Sequence, residues 1–239
     1  MHWQNIPISI RRNRRAKQIY LRVRPCQGVE VVLPYRVSIQ EVPSILERNQ
    51  DWITKRMDAL RARGEGPGEG LQPEVVHLAL AGQSYRVSYA HAETSSLTET
   101  GNVLQIRFAQ ELHGPALLQR WLIRKGRLLV PLCREESALH RIPIGRIQVR
   151  NQQSCWGSCS RSGTISLNAK LLFLDEFLAR HVIRHELCHV AHRNHGPDFW
   201  AALTYLDPLT DRHEEALNKA WKSIPAWTKW RGSPQSFAE

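Results

Sequence analysis

Residues 184–200 read RHELCHVAHRNHGPDFW, a stretch with four histidines, a glutamate and a cysteine, and a further histidine, His181, lies one helical turn upstream. The surrounding segment DEFLARHVIRHELCHVAHRN, Asp175 to Asn194, has the clearest helical pattern in the chain. At about 100° per residue, Leu178, His181, His185, His189 and His192 fall on one stripe. His185 and His189 stand one turn apart, so both imidazoles can point at one ion. Glu186 lies about 100° round from His185, off the coordination direction but within reach of a water on that ion. Two ligands and a general base on one rigid element are the chemical content of His-Glu-x-x-His.

The helix is expected to stop at Asn194. Gly196 is a poor helix residue, Pro197 disfavours α conformation in the residue before it, and Asn194 accepts the left-handed conformation of a C-cap. The turn brings His195 to where it can swing back and close a three-histidine site with one open position. His192 would take that place if the helix ran on. His181 is most simply a supporting or packing residue, and Cys188, rotated off the stripe, reads as a buried small apolar residue. The pair Cys155 and Cys159 offers a rival zinc site. Structural zinc sites commonly use two such pairs, however, and in a regular strand these two would stand about 13 Å apart. They are expected to pack.

Upstream, Ile19, Leu21 and Val23 alternate with polar residues, a turn falls at Gln27-Gly28, and Val29, Val31 and Leu33 alternate again: a β-hairpin. The helical spacing in SIQEVPSILERNQDWITKRMDALRAR follows, with Ser38 and Glu41 forming a capping box. GEGPGEG at 64–70 reads as a flexible linker. VVHLAL, YRVSYA and VLQIRF are short strands. From Pro115 a long helix is expected to about Ser137, disturbed near Pro131. RIQVRNQQSCWGSC and GTISLN then form a strand pair around a turn at 160–162. No internal repeat is visible. The expected division is a β-rich amino-terminal region over 1–112 and a metal-helix domain over 113–239, an α+β chain.

Lys and Arg number 33 against 22 Asp and Glu, a formal charge of +11, which attracts polyanions and makes nucleic acid a possible partner. The five cysteines form no disulfide framework, and the basic start has no apolar stretch behind it to act as a signal peptide, so a reducing cytoplasm is the expected compartment. The longest apolar runs fall far short of the roughly 20 residues that cross a bilayer, so no membrane association is expected. Oligomeric state is not encoded in any visible pattern.

With CWGSCSRSGTISLNAKLLFL before the metal helix, NHGPDFW after it, and RRNRRAKQIYLRV and DWITKR near the start, the chain resembles the YgjP-like family of zinc metallopeptidases, relatives of the SprT and WLM proteases. The resemblance implies zinc ligands His185, His189 and His195, Glu186 as catalytic base, and a zincin-like α+β core behind a β-rich amino-terminal region. The chain departs from the family pattern at Cys155, in the length of GEGPGEG, and at His192, where metzincins with the same ligand spacing carry glycine.

The expected activity is zinc-dependent hydrolysis of peptide bonds in flexible or unfolded protein, with nucleic-acid-associated protein a candidate substrate by analogy with SprT and WLM proteases. The hairpin from Trp156 to Asn168 is the expected substrate edge, through Trp156, Gly157, Ser158, Ser166 and Asn168. Two other functions fit the residues less well. A nucleotide or phosphoanhydride hydrolase would use the same metal, but GEGPGEG lacks the Lys-Ser/Thr of a phosphate loop. A non-catalytic zinc-stabilised nucleic-acid-binding module would need no base at Glu186, and no aromatic RNA-binding strand is present.

Overall fold

The computed structural model describes residues 2–110 and 113–231. The expected hairpin forms β3 (Tyr20–Arg24) and β4 (Gly28–Leu33), joined to β1 (His2–Trp3) and β2 (Ile6–Arg12) in the order β1-β2-β4-β3, with β2 parallel to β4. One face, with Ile8, Val29, Val31 and Leu33, packs on Ile45, Leu46, Ile53 and Met57 of α1 (Val42–Arg48) and α2 (Gln50–Arg61). The Ser38–Glu41 capping box is present, starting a short 3-10 turn that leads into α1. Gly28 has φ +90°, and a Cβ there would lie 2.2 Å from the Pro7 carbonyl oxygen, so only glycine permits this strand start.

Two expectations shift here. The 64–70 segment is a pinned loop: Cys26 N–H donates to the Glu65 carbonyl (2.8 Å) and Gly68 N–H to that of Cys26 (2.9 Å), because left-handed Gly64, Gly68 and Gly70 let the chain fold back. The expected boundary at 112 lies outside the described residues. Contacts divide the chain at Pro73 and again at Pro225: residues up to Pro73 group with those from Pro225 onward, and Glu74–Ile224 form a second compact unit.

The second unit opens with β5 (Val75–Leu78), β6 (Gln83–His91), β7 (Ser96–Thr100) and β8 (Val103–Phe108), ordered β5-β6-β8-β7 with β6 parallel to β8. This repeats the order and strand senses of the first sheet. No sequence repeat announces it, because alternation alone, carried by different residues, suffices to build each sheet. The expected long helix is two, α3 (His113–Lys125) and α4 (Leu129–Leu139), broken at Gly126. A Cβ at Gly126 would sit 2.5 Å from Val149 Cγ1, so that glycine marks a close approach. Pro131 falls in the first turn of α4, where no intrahelical acceptor waits for its missing N–H.

The third sheet positions the site. The expected single strand before the turn is split into β9 (Ile147–Arg150) and β10 (Gly157–Cys159), and β11 (Ile165–Asn168) lies between them, parallel to β9 and antiparallel to β10. The break is held by buried polar groups: Asn168 Nδ2 donates to the carbonyls of Gln152 (3.0 Å) and Cys155 (2.8 Å), and Lys170 Nζ donates to that of Gln152. β10 is therefore an edge strand. Against it lies α5 (Glu176–Ala191), itself packed on α4, α6 (Pro197–Leu206) and α7 (Thr210–Ser223). The architecture is α+β with a β-rich amino-terminal half, as expected. Among the described residues no helix is long and apolar enough to cross a membrane.

Candidate metal centre

The metal helix ends three residues earlier than its sequence suggests. α5 stops at Ala191, and His192 takes extended backbone angles (φ −113°, ψ 101°). Its carbonyl turns back and accepts a hydrogen bond of 2.9 Å from His189 Nδ1. A carbonyl freed at a helix end needs a donor, and the imidazole one turn before supplies it. Turning at His192 leaves Arg193 and Asn194 to carry the chain across to His195. Arg193 donates to the carbonyls of Ser160 (2.8 Å) and Arg161 (3.1 Å), tying this crossing to the β10–β11 turn.

His185, His189 and His195 are brought together. Each offers a ring nitrogen, and these lie within 4.8 Å of one another. His185 Nε2 and His195 Nε2 are 3.0 Å apart. Because His189 Nδ1 donates to His192, its Nε2 carries the lone pair, the tautomer a metal requires. Burial holds the His189 imidazole below its ordinary value, with His185 and His195 adding to the shift against the His192 hydrogen bond. Beneath the three rings lies Phe199, fully buried, with its centroid 4.9, 4.6 and 4.6 Å from those of His185, His189 and His195. It comes from α6, whose start is fixed by Gly196-Pro197, and it packs with Leu203 and Cys188. Cys188 is the buried apolar residue expected. Phe199 was missed as a site residue; the apolar i, i+4 pair of Phe199 and Leu203 was its available signal.

Glu186 faces β10. It is 5 % exposed, its Oε2 is buried with no hydrogen-bond partner, and burial pushes its carboxyl up to about 8. Gly157 makes this possible: a Cβ there would stand 2.6 Å from Glu186 Oε1 and 2.7 Å from its Cγ. Three converging imidazole nitrogens beside a buried carboxyl oxygen with no partner fit a hydrated divalent ion, whose water would satisfy that oxygen.

A cleft of about 480 Å³ opens over these groups. Trp156, Gly157 and Ser158 line it, as do Cys155 and Cys159, while Ser166 and Asn168 do not. Asn168 is fully buried, its amide spent on the 151–156 loop and its oxygen accepting from Lys170 N–H. Trp156 stacks edge-on against Trp221 at 4.6 Å. Burial raises the thiols of Cys155 and Cys159, and they form no disulfide.

Glu214 of α7, which with His181 also lines the cleft, presents Oε1 to His185 Nδ1 (3.4 Å) and to His181 Nε2 (3.3 Å). These contacts hold the Glu214 carboxyl down at about 2. His181 is fully buried and donates from Nδ1 to Asp207 Oδ2 (2.5 Å), which also accepts from His213 Nδ1 (2.7 Å). His181, Asp207 and His213 are of metal-ligating types and lie within 4.8 Å of one another. Their contacts are direct hydrogen bonds, since two atoms on one tetrahedral ion with bonds of about 2.0 Å stand about 3.3 Å apart.

No curated protein matches the chain. Among solved structures, the metallopeptidase zymogen abylysin of Pyrococcus abyssi is similar at 20% identity and a TM-score of 0.36, over 40% of this chain and 94% of its own. The YgjP-like metallopeptidase domain matches residues 17–220, most of the chain and every residue of the imidazole cluster and the cleft around it, and the protein belongs to that family of metallopeptidases.

Proposed function

We propose that the protein is a zinc-dependent peptidase in which His185, His189 and His195 hold the ion and Glu186 is the general base. The observation that carries this is the convergence of three imidazole nitrogens next to a buried carboxylate with an unpartnered oxygen. A three-nitrogen donor set suits zinc, and an ion there supplies Lewis-acid polarisation of the scissile carbonyl together with a more acidic water. Glu186 takes the proton of the attacking water and delivers it to the leaving amine, and burial makes it a stronger base than an ordinary carboxylate. The edge strand β10 lies along the cleft, where an extended peptide can pair with it, so Trp156, Gly157 and Ser158 contact substrate while Ser166 and Asn168 support them from behind. Strand pairing demands an extended segment, which favours flexible or unfolded protein. The charge of +11 favours protein associated with nucleic acid.

The test is metal analysis with Glu186→Gln, assayed on an unfolded protein with and without DNA and in parallel on nucleoside triphosphates. We expect bound zinc in both forms and proteolysis only in the wild type. Zinc without any Glu186-dependent activity would favour a binding module, and Glu186-dependent triphosphate hydrolysis would favour the phosphoanhydride alternative.

A further inference from the structure

His185 Nε2 faces the other two imidazoles, and its Nδ1 also has a neighbour, a carboxylate that lines the same cleft. Starting from the interior, Asp207 at the end of α6 accepts from His181 Nδ1, His213 Nδ1 and the Leu209 N–H (3.2 Å), and its own carbonyl accepts from Thr210 Oγ1 (2.6 Å). It is therefore buried, 2 % exposed, with both carboxylate oxygens hydrogen-bonded. His181, fully buried, is fixed by that bond and turns its second nitrogen to Glu214 Oε1. The same oxygen meets His185 Nδ1. Three elements converge in this chain of contacts: α5 supplies both histidines, α7 the glutamate, and the α6–α7 junction the anchoring aspartate. None of these carboxylates follows from the spacing of the metal helix.

We propose that Glu214 is a positioning residue for the metal centre, held in place by His181 and Asp207, and that it sets the tautomer and orientation of His185. A carboxylate oxygen only accepts, so Glu214 Oε1 at 3.4 Å favours the tautomer in which His185 Nδ1 carries the proton and Nε2 keeps the lone pair that a metal would use. His192 does the same for His189 through a backbone carbonyl, so two of the three ring orientations are set by an acceptor behind them. The two devices differ in one respect. The carbonyl cannot be removed by substitution, whereas Glu214 can, and its negative charge also raises the basicity of the ligand it holds.

The inference rests on the assignment of His185 as a ligand, and the experiment separates the two. Zinc affinity is measured by chelator competition on the full chain for wild type, Glu214→Gln, Glu214→Ala and His181→Ala, with the thermal midpoint of each metal-free form alongside. Glu214→Ala should weaken zinc binding about 10- to 100-fold while the metal-free midpoint moves little. Glu214→Gln, which keeps an acceptor oxygen without the charge, should recover part of the loss. His181→Ala, one contact further out, should weaken zinc less than Glu214→Ala. Glu214→Ala binding zinc as tightly as wild type, or Gln and Ala being equally impaired, overturns the proposal while leaving the centre intact. A folded wild type that binds no zinc overturns the metal centre and this proposal together.

Discussion

Two buried glutamates on opposite sides of α5 have opposite surroundings. Glu136 of α4 is fully buried and fully engaged: it accepts from Arg180 Nη1 (2.7 Å), Arg184 Nε (2.7 Å) and His140 Nε2 (3.2 Å). Burial alone would raise its carboxyl, but the arginine hydrogen bonds outweigh burial and hold it below the ordinary range. Glu186, one residue beyond His185, has an oxygen with no partner, and nothing offsets the burial that pushes it up to about 8. One side of the helix is a satisfied ion-pair network and the other a buried carboxyl with an oxygen left without a partner. A buried charge with all its bonds made is structural, and one left short of partners marks a place where chemistry happens.

The largest effects should come from the unsatisfied side. His195→Ala should release most of the zinc at neutral pH and abolish proteolysis, as read by metal analysis of the purified protein. Glu186→Gln should cost about a thousandfold in kcat while keeping the metal, with stability little changed because an amide of the same shape replaces a carboxyl that no cation pairs with. If Glu186→Gln unfolded the chain, the contrast with Glu136 would collapse.

The satisfied side should answer in stability instead. Glu136→Gln should lower unfolding free energy by about 3 kcal/mol at neutral pH, since it removes the buried negative charge that Arg180 and Arg184 share. The sign with pH follows from the lowered carboxyl: its contribution is complete above the ordinary carboxylate value and is lost as pH falls through its folded value. Urea melts across the acid range should therefore show a slope in the wild type that Glu136→Gln lacks in part.

Smaller changes sharpen the comparison. Gly157→Ala places a Cβ against Glu186 and should cost about 100-fold in kcat with zinc affinity retained, because Glu186 is displaced and the three imidazoles are not. His192→Ala should change zinc affinity least, about twofold or less, since the contact to His189 comes from the backbone carbonyl, which the substitution keeps. A large loss of zinc there would mean that the imidazole of His192, not that of His195, is the third ligand.

Much of the site was legible because it is local. The i, i+4 placement of His185 and His189 and the adjacency of Glu186 follow from helix geometry, and Gly196-Pro197 forces a turn whatever the rest of the chain does. The helix end was misplaced because His192 leaves the helix for a bond to its own neighbour, an outcome with no side-chain signature at position 192. Ser166 and Asn168 are expected at the substrate edge because the whole Trp156–Asn168 hairpin reads as one pairing edge. The break at 151–156, held by Asn168 and Lys170, turns Asn168 inward instead.

By itself the sequence determined the elements whose causes lie within a few residues: the capping box at Ser38, the hairpin at Gly28, the helix that carries His185, Glu186 and His189, and the chemistry those residue types permit. Only the tertiary structure decided what lies behind and beneath them. Phe199 under the rings, Gly157 against Glu186, Glu214 beside His181 and His185, and Asp207 beside His181 are brought in from segments up to tens of residues away by packing. Spacing along the chain carries no record of contacts made by the burial of one element on another.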